Sequence, residues 1–491
     1  MLAKYIILAL YFLVLFLIGI VASRRIKGLT DFYAGGKKLG YWVVAFSARA
    51  TGESGWLLLG VTGMGAMVGL SAFWVVVGEL IGVGLAWWFM AKPFKRMTDD
   101  YDAITIPDYL AGRFPNGKKA LRLIAAFTLT VFVTIYVSAQ IDTTGKAFET
   151  FLDWDYFTGV FVGFAIVLVY TFSGGFVAVA WSDLFQGLIM LVGLVGLPLF
   201  VWWTLDGSLL AGLEAIDPSL VSIWGEGGLT FMNVITAIGL LSIGLGFLGS
   251  PQVFVRYISI KDEAEIEKGK WVAIVFTLLT DSAAVLIGML GRYVFTEAGQ
   301  SVEGILGNAA ENVLPMMVDE FLPLALAGLY IAAVLAAIMS TIDSLLVVAS
   351  SAITRDIYQQ MLRPDRLGDP MTRFSRIVTL SIAIAALAIA MSVALLVPGR
   401  TVFWFVIFGW NGIAATFCPM IVLSLFWSRY NAAGAIASML TGFVSVPLFK
   451  FVIPSLTGTE LFFENLAELM PSFILSAIAG VVATVLSNTK Q

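Results

Sequence analysis

The sequence predicts an all-α polytopic membrane protein with about 13 transmembrane helices. Of the 491 residues, 59% are hydrophobic and only 13% are charged, whereas soluble domains carry about 25% charged residues. The mean hydropathy is +0.93, and the apolar residues form runs long enough to cross a bilayer, which takes about 20 residues. We therefore expect a single membrane domain, 1–491, without a sizeable soluble domain.

Thirteen apolar runs are candidate spans and are numbered as segments 1–13. They are 5–22, 41–69, 71–91, 120–147, 157–173, 177–203, 229–256, 270–292, 321–353, 374–397, 401–427, 430–452 and 467–487. Segment 1 has no small-residue cleavage site after it, so we expect it to remain as an anchor and not to be a cleaved signal peptide.

The charges of the loops predict the orientation. Lysine and arginine cluster in the loops after segments 1, 3, 7 and 9, while the loops after even-numbered segments are acidic or nearly uncharged. We expect a multi-pass protein of the cell inner (plasma) membrane. Because basic loops face the cytoplasm, its N-terminus should lie outside the cell and its C-terminus in the cytoplasm. The loop after segment 1 carries Arg24, Arg25, Lys27, Lys37 and Lys38, and the loop after segment 7 is predicted to carry Arg256, Lys261, Lys268 and Lys270.

Segments 2 and 7 are interrupted in their middles. Segment 2 reads SARATGESGW at 47–56, with two glycines, hydroxyls and two charges, and segment 7 reads SIGLGFLGSP at 242–251. Such interruptions in corresponding segments indicate a transporter binding site. Because the two lie five segments apart, we predict two repeats of opposite orientation, 41–203 and 229–427. An extra helix at 5–22 precedes them, and two extra helices at 430–487 follow.

Segment 9 has an unusual polar centre. Four oxygen-bearing side chains crowd into five residues: Ser340, Thr341, Asp343 and Ser344. Three of them share a helix stripe with Ala337, because residues three and four apart face the same way. Groups of this kind in hydrocarbon must face protein, water or an ion. Na⁺ is a hard cation that takes oxygen ligands, and the break in segment 2 could supply the carbonyls of Ala50 and Glu53. We predict a sodium site between segments 2 and 9.

Charged residues inside the apolar runs leave alternatives open. Asp183 in segment 6 could meet Asp343 and Ser344 and form a second cation site, or it could lie near the cytoplasmic membrane face. Arg49 and Glu53 are four residues apart, which favours an internal ion pair; the alternative is that Glu53 holds an amino group of a solute. Further acids in the apolar runs are Glu79, Asp142 and Asp281.

The residue inventory excludes several kinds of chemistry. The chain has no histidine and a single cysteine, Cys418, which excludes a disulfide framework and a thiolate metal site and removes the commonest proton shuttle. A membrane-embedded enzyme is disfavoured, because no nucleophile–base arrangement is visible. A proton-coupled symporter that uses Glu53 or Asp183 and a transporter-like sensor remain alternatives.

Several stretches resemble the sodium/solute symporter family. They are KLGY at 38–41, SGWLL at 54–58, IPDYLAGRF at 106–114, YTFSGGFVAVAWSD at 170–183, GLG at 244–246, AAIMST at 336–341 and SSAIT at 350–354. The resemblance runs from about residue 28 to 430. It implies a leucine-transporter-like core of two inverted five-helix repeats. It also implies sodium-coupled secondary active import of a small organic solute by alternating access. Proline or a similar amino acid is the first expectation, and a sugar, sialic acid or another carboxylate is the alternative.

The resemblance also implies site residues. The first sodium site would use the carbonyls of Ala50, Glu53 and Ala337 and the hydroxyls of Ser340 and Thr341. A second would use Asp183, Asp343 and Ser344. The solute-binding candidates are Glu53, Ser54, Gly55, Trp56, Tyr136, Gln140, Phe247, Pro251 and Asn411. The expected partners are one or two Na⁺, the solute and the lipid bilayer, with no nucleic acid, and the expected functional unit is a monomer.

Overall fold

The structure is a computed structural model that describes residues 2–24, 29–171, 175–205, 207–367, 369 and 371–488. The predicted loop residues Arg25 and Lys27 lie outside these ranges. Residues 172–174, which include the predicted end of segment 5 and part of the family-like stretch at 170–183, also lie outside them. The described residues form helices and no strand, with a single β-bridge between Leu39 and Ile260.

Eleven helical stretches within these ranges are long and apolar enough to cross a membrane. One of them, Tyr41–Asp100, has 60 residues and would be about 90 Å long as a straight helix, three times the thickness of the hydrocarbon core. It is divided at residues 69–72, where Gly69 has a φ of 59°, and therefore makes two crossings. With the shorter apolar helix Tyr156–Thr171, the described residues contain helices for all thirteen predicted segments.

The bounds of the thirteen membrane helices are close to the predicted ones. In order, they are Leu2–Ser23, 41–68, 73–100, Lys118–Leu152, Tyr156–Thr171, Gly175–Thr204, Phe231–Ser259, Glu263–Phe295, Leu324–Leu362, Thr372–Leu396, Val402–Phe426, Ala432–Thr457 and Leu469–Asn488. Shorter helices lie in the connections, at Leu29–Ala34, Ile106–Arg113, Leu209–Ile216, Val302–Leu306, Val313–Phe321 and Glu460–Leu466. Segment 9 extends to Leu362 and not to 353 as predicted, because its polar last turns stay helical beyond the apolar run.

Both predicted interruptions are present. In segment 2, Ser54 has φ 40° and ψ −171°, which no helical residue adopts, and a wider π-helical stretch follows at Trp56–Val61. In segment 7, the helix tightens to a 3₁₀-helix at Ile243–Leu248 and a new helix starts with Pro251. Proline is favoured at a helix start because its missing amide proton would be unpaired there.

Segment 9 is the centre of the bundle. It packs against segments 1, 2, 4, 6 and 10, and every residue from Tyr330 to Ser351 is buried. Segments 3 and 7 approach with their backbones in contact, since a Cβ on Gly82 would lie 2.0 Å from the carbonyl oxygen of Gly244. This packing fixes the break of segment 7 against segment 3. The polar stripe of segment 9 faces the break of segment 2, where its hydroxyls contact backbone oxygens.

Candidate ion and solute site

The break in segment 2 is held open by a side chain of segment 4. In an uninterrupted helix the amide of Gly55 would donate to the carbonyl of Thr51. Instead, Gly55 N donates to Gln140 Oε1 at 3.2 Å, and Gln140 Nε2 donates to Ser54 Oγ at 3.2 Å. The carbonyl oxygen of Thr51 is therefore available for a partner outside its own helix.

Segment 9 supplies that partner. Thr341 Oγ1 donates to the carbonyl oxygen of Thr51 at 3.0 Å and lies 3.1 Å from that of Ala337. Ser340 Oγ lies 2.9 Å from the carbonyl oxygen of Ala50 and 3.0 Å from that of Ala337. All five residues are fully or almost fully buried. Two hydroxyl and three carbonyl oxygens therefore meet without a formal charge, which is a donor set suited to a hard cation.

Four of the five residues predicted for the first sodium site meet in this set, and Glu53 does not. The carbonyl oxygen of Glu53 accepts a hydrogen bond from the amide of Trp56, and its side chain contacts Arg49. Thr51 stands in its place against Thr341. Thr51 replaces Glu53 because the amide of Gly55, which would pair with the Thr51 carbonyl in a regular helix, donates to Gln140 instead. Gln140 is distant in the sequence.

Gln140 provides a test of how the break is maintained. Gln140→Leu leaves the buried Gly55 amide without its acceptor, which costs about 1–3 kcal/mol. We expect the sodium concentration for half-maximal uptake in proteoliposomes to rise about 5- to 100-fold, because the amide would compete for the Thr51 carbonyl. Ser138→Ala is the matched control, since this buried hydroxyl donates only to Ile135 of its own helix and should leave sodium dependence unchanged. Unchanged sodium dependence in Gln140→Leu would contradict the proposed role.

The residues predicted for the second cation site surround an arginine. Nη2 of Arg256 lies 2.9 Å from Asp183 Oδ2 and also contacts Ser344 Oγ. All three side chains are buried, as is Asp343. The prediction that Arg256 belongs to a cytoplasmic loop was wrong, because the helix Pro251–Ser259 continues past it and directs it into the protein.

A second buried cluster surrounds Arg49. The predicted ion pair with Glu53 is present, and Arg49 Nη2 also lies 2.8 Å from Glu79 Oε2. Carboxylate oxygens of Glu53, Glu79 and Asp281 lie within 4.8 Å of one another. If all four groups were ionised, the cluster would carry two more negative than positive charges. Such an excess is costly in a buried position, so the cluster must retain a proton or attract another cation.

Aromatic side chains join the two breaks. The guanidinium carbon of Arg49 lies 4.6 Å from the ring centre of Phe247, and the ring of Trp410 lies 4.9 Å from that of Phe247. A Cβ on Gly52 would lie 2.9 Å from Phe247, so glycine is required for this close approach. Trp56 Nε1 donates to the Gly52 carbonyl at 3.0 Å. Rings with a few polar groups are typical of a small-solute site.

Of the remaining solute candidates, one lies near the break of segment 2 and two lie elsewhere. Tyr136 is buried one turn before Gln140 on the same helix. Pro251 lines a narrow cavity together with Ile104 and with Val348 of segment 9. Asn411 Nδ2 donates to Glu468 Oε1 at 3.0 Å, toward the last helices of the chain. The structure thus does not direct this amide nitrogen to the break.

Two residues of the site escaped the sequence analysis. Thr51 belongs to the quoted stretch of segment 2 but was not singled out, and Arg256 was assigned to a loop. A local signal for Arg256 exists: Pro251 is a favoured helix start and Asp262 caps the next helix. Between these two signals a short helix can form, and Arg256 would lie within it and not in a loop.

Comparison with known proteins decides the family. Residues 32–442 match the model of the sodium:solute symporter family. The chain belongs to the sodium:solute symporter family. Its relatives include the high-affinity proline transporter PutP of Bacillus subtilis (strain 168), 33% identical over 475 residues, which are 96% of each chain. They also include the sodium/proline symporter of Escherichia coli (strain K12), 32% identical over 479 residues, or 97% of this chain and 92% of the relative.

The fold agrees with that family. A solved structure of a Na⁺-coupled sialic acid symporter in a substrate-bound outward-open state superposes with a TM-score of 0.77 at 19% identity, covering 98% of both chains. A nucleobase-cation-symport-1 family transporter superposes with a TM-score of 0.53 at 13% identity, covering 93% of this chain and 94% of the other. This member of the symporter family therefore has the predicted leucine-transporter-like fold, and it is a multi-pass membrane protein of a transporter family.

Proposed function

We propose that this symporter couples the entry of Na⁺ to the import of proline or a similar amino acid by alternating access. The observation that carries the proposal is the set of five uncharged oxygens where Ser340 and Thr341 meet the broken segment 2. A cation bound there would join segment 2 to segment 9. Its release would free the two segments from each other, which is how such a site can control which side of the membrane the solute site faces.

The residues divide into three roles in this proposal. Ala50, Thr51, Ala337, Ser340 and Thr341 would hold the ion. Gln140 and Ser54 would maintain the break, and the solute would lie against Trp56, Phe247 and Tyr136. The amide groups and positive dipole end of a half-helix would stabilise the carboxylate of an amino acid. Each Na⁺ that enters would contribute about 2.3 kcal/mol per 100 mV of membrane potential.

The names of the relatives support proline as the first candidate solute. Both the Bacillus subtilis and the Escherichia coli relatives are named for proline transport, and each matches nearly the whole chain. A similar amino acid, a sugar, sialic acid or another carboxylate is the alternative. We also propose two inverted repeats at 41–203 and 229–427, with the N-terminus outside and the C-terminus in the cytoplasm, as the loop charges indicate. A monomer would suffice, since both repeats lie in one chain.

Uptake by the purified protein in proteoliposomes tests this function. We expect labelled proline to accumulate when Na⁺ is higher outside than inside, and not when K⁺ replaces Na⁺ at the same ionic strength. Unlabelled amino acids, sugars and sialic acid, added one at a time, identify the solute by competition. If a solute other than proline accumulates, the proposed substrate would have to be replaced by that solute. Uptake that does not depend on sodium would overturn sodium coupling.

Proton coupling is the second candidate, and the cluster of Glu53, Glu79 and Asp281 is the observation that favours it. A buried group of three acids with one arginine can take up and release a proton as its surroundings change. The same proteoliposomes decide between the candidates when a pH gradient replaces the sodium gradient. Accumulation driven by the pH gradient without sodium, and lost in Glu79→Gln, would support proton coupling.

A further inference from the structure

The helix Ile106–Arg113, in the connection between segments 3 and 4, is bonded to the last turns of segment 9. Thr105, the residue before this helix, donates through Oγ1 to Asp356 Oδ2 at 3.1 Å. The same Thr105 Oγ1 accepts the backbone amide of Asp108, also at 3.1 Å. Asp356 is fully buried and Thr105 is almost fully buried. One hydroxyl therefore both caps the connecting helix and holds it to segment 9.

Arg122, in the first turns of segment 4, completes this group. Its Nη2 donates to Asp108 Oδ1 at 2.8 Å, and its Nη1 contacts Asp356 Oδ1. Arg355 Nε lies 3.8 Å from Asp108 Oδ2, so two carboxylates face two guanidinium groups. Buried ion pairs are favourable only in close geometry, because their attraction must offset the desolvation of both charges. The group therefore holds the connecting helix and segments 4 and 9 together only while all three remain in contact.

A narrow cavity lies beside this group. Its volume is about 10 Å³, which is barely enough for one water molecule. Pro251, where segment 7 resumes after its break, lines the cavity together with Val348 and Ser351 of segment 9. Thr105 lines it as well, and in the proposed orientation its connection lies in the cytoplasm. The cavity thus extends from the break of segment 7 toward the cytoplasm and is too small for a solute to pass.

We propose that Asp356, Thr105 and Arg122 form a latch that closes the cytoplasmic exit of the ion and solute sites, and that the latch must open for release. This inference rests on the proposed transport by alternating access. Segment 9 can couple the latch to the ion, because one continuous helix, Leu324–Leu362, carries both Thr341 and Asp356, about 20 Å apart. A shift of segment 9 against segment 2, which the ion otherwise joins, would move Asp356 relative to Thr105.

Labelling of a cysteine in the cavity measures whether this exit is open. Ser351→Cys is a suitable reporter, because serine and cysteine have similar shapes and the Ser351 hydroxyl donates to Val348 of its own helix. The native Cys418 is fully buried, and its labelling in the protein without the reporter gives the background. The probe is a permanently charged methanethiosulfonate reagent that does not cross membranes. It is added to inside-out vesicles at constant sodium, and the labelling rate is measured.

We expect Asp356→Asn to raise the labelling rate of the reporter about ten- to a hundredfold, because a hydrogen bond to a charged group changes an equilibrium by about that factor. The variant keeps the size of the side chain and leaves Arg122 paired with Asp108, so it should fold. Glu263→Gln is the matched control, since it removes the charge of an exposed pair with Arg96, and such pairs contribute little. An unchanged rate in Asp356→Asn, or an equal rise in Glu263→Gln, would overturn the latch.

Thr105→Val tests the same bond without altering any charge. It keeps the shape of the side chain, so it should fold even if Asp356→Asn does not, and we expect the labelling rate to rise about tenfold. In the double variant, the rate should rise by less than the product of the two single effects, because substitutions at one bond are not additive. A rate equal to that product would mean that Thr105 acts only as a helix cap and would overturn the latch.

These labelling experiments fail independently of the proposed transport. They are carried out at one sodium concentration and need no gradient, so they report on the exit even if another ion drives uptake. Uptake that ignores a sodium gradient would overturn sodium symport, whereas equal labelling rates in all variants would overturn the latch.

Discussion

Thr341→Ala should raise the sodium concentration for half-maximal uptake by about ten- to a hundredfold. The Thr341 hydroxyl is one of the five oxygens of the proposed ion site and the one that contacts the released carbonyl of Thr51 at 3.0 Å. A hydrogen-bonding group that faces a charge contributes about 1.5–3 kcal/mol, and each 1.4 kcal/mol corresponds to about tenfold in affinity. The measurement is the initial rate of solute uptake as external sodium is varied at constant ionic strength.

Two variants make this result specific to the ion. Thr341→Ser keeps the hydroxyl and should retain most of the sodium affinity. Trp56→Ala removes a ring from the proposed solute pocket but no oxygen of the ion set, so it should weaken solute affinity much more than sodium affinity. If Thr341→Ala and Trp56→Ala shifted the sodium dependence equally, the ion site would lie elsewhere.

The membrane spans and the two breaks could be predicted because their causes are local. An apolar run of about 20 residues crosses a bilayer wherever it stands in the chain. Glycine and proline interrupt a helix through their own backbone properties. For this reason residues 47–56 and 242–251 marked the breaks correctly. The same reasoning placed Ser340 and Thr341 on one stripe with Ala337, where the structure has them.

What could not be predicted depends on contacts between distant residues. The exchange of Glu53 for Thr51 in the oxygen set follows from the bond between Gly55 and Gln140, which lie on different helices. The burial of Arg256 follows from its pairing with Asp183, 73 positions earlier in the chain. Loop-charge counting treats every arginine near a span end as solvent-facing, and it has no means of recognising one whose partner is a carboxylate inside the bundle.

Arg49→Met should strongly destabilise the folded protein. Within the part of the chain that the structure describes, it removes the one guanidinium that contacts Glu53 and Glu79, and Asp281 lies in the same group of carboxylates. Removing one partner of a buried ion pair costs about 3–5 kcal/mol, a large fraction of the stability of most proteins. We expect little folded protein in the membrane fraction and a markedly lower temperature of heat-induced aggregation in detergent.

Glu79→Gln is the matched control for Arg49→Met, because it acts on the same cluster in the opposite direction. It removes one of the excess negative charges while keeping the size of the side chain and an oxygen that can accept from Arg49. Stability should therefore be unchanged or raised. In the double variant Arg49→Met with Glu79→Gln, part of the lost stability should return, since fewer unpaired carboxylates remain to repel one another. Equal losses in Arg49→Met and in Glu79→Gln would mean that the packing of these side chains, and not their charge, holds segments 2, 3 and 8 together.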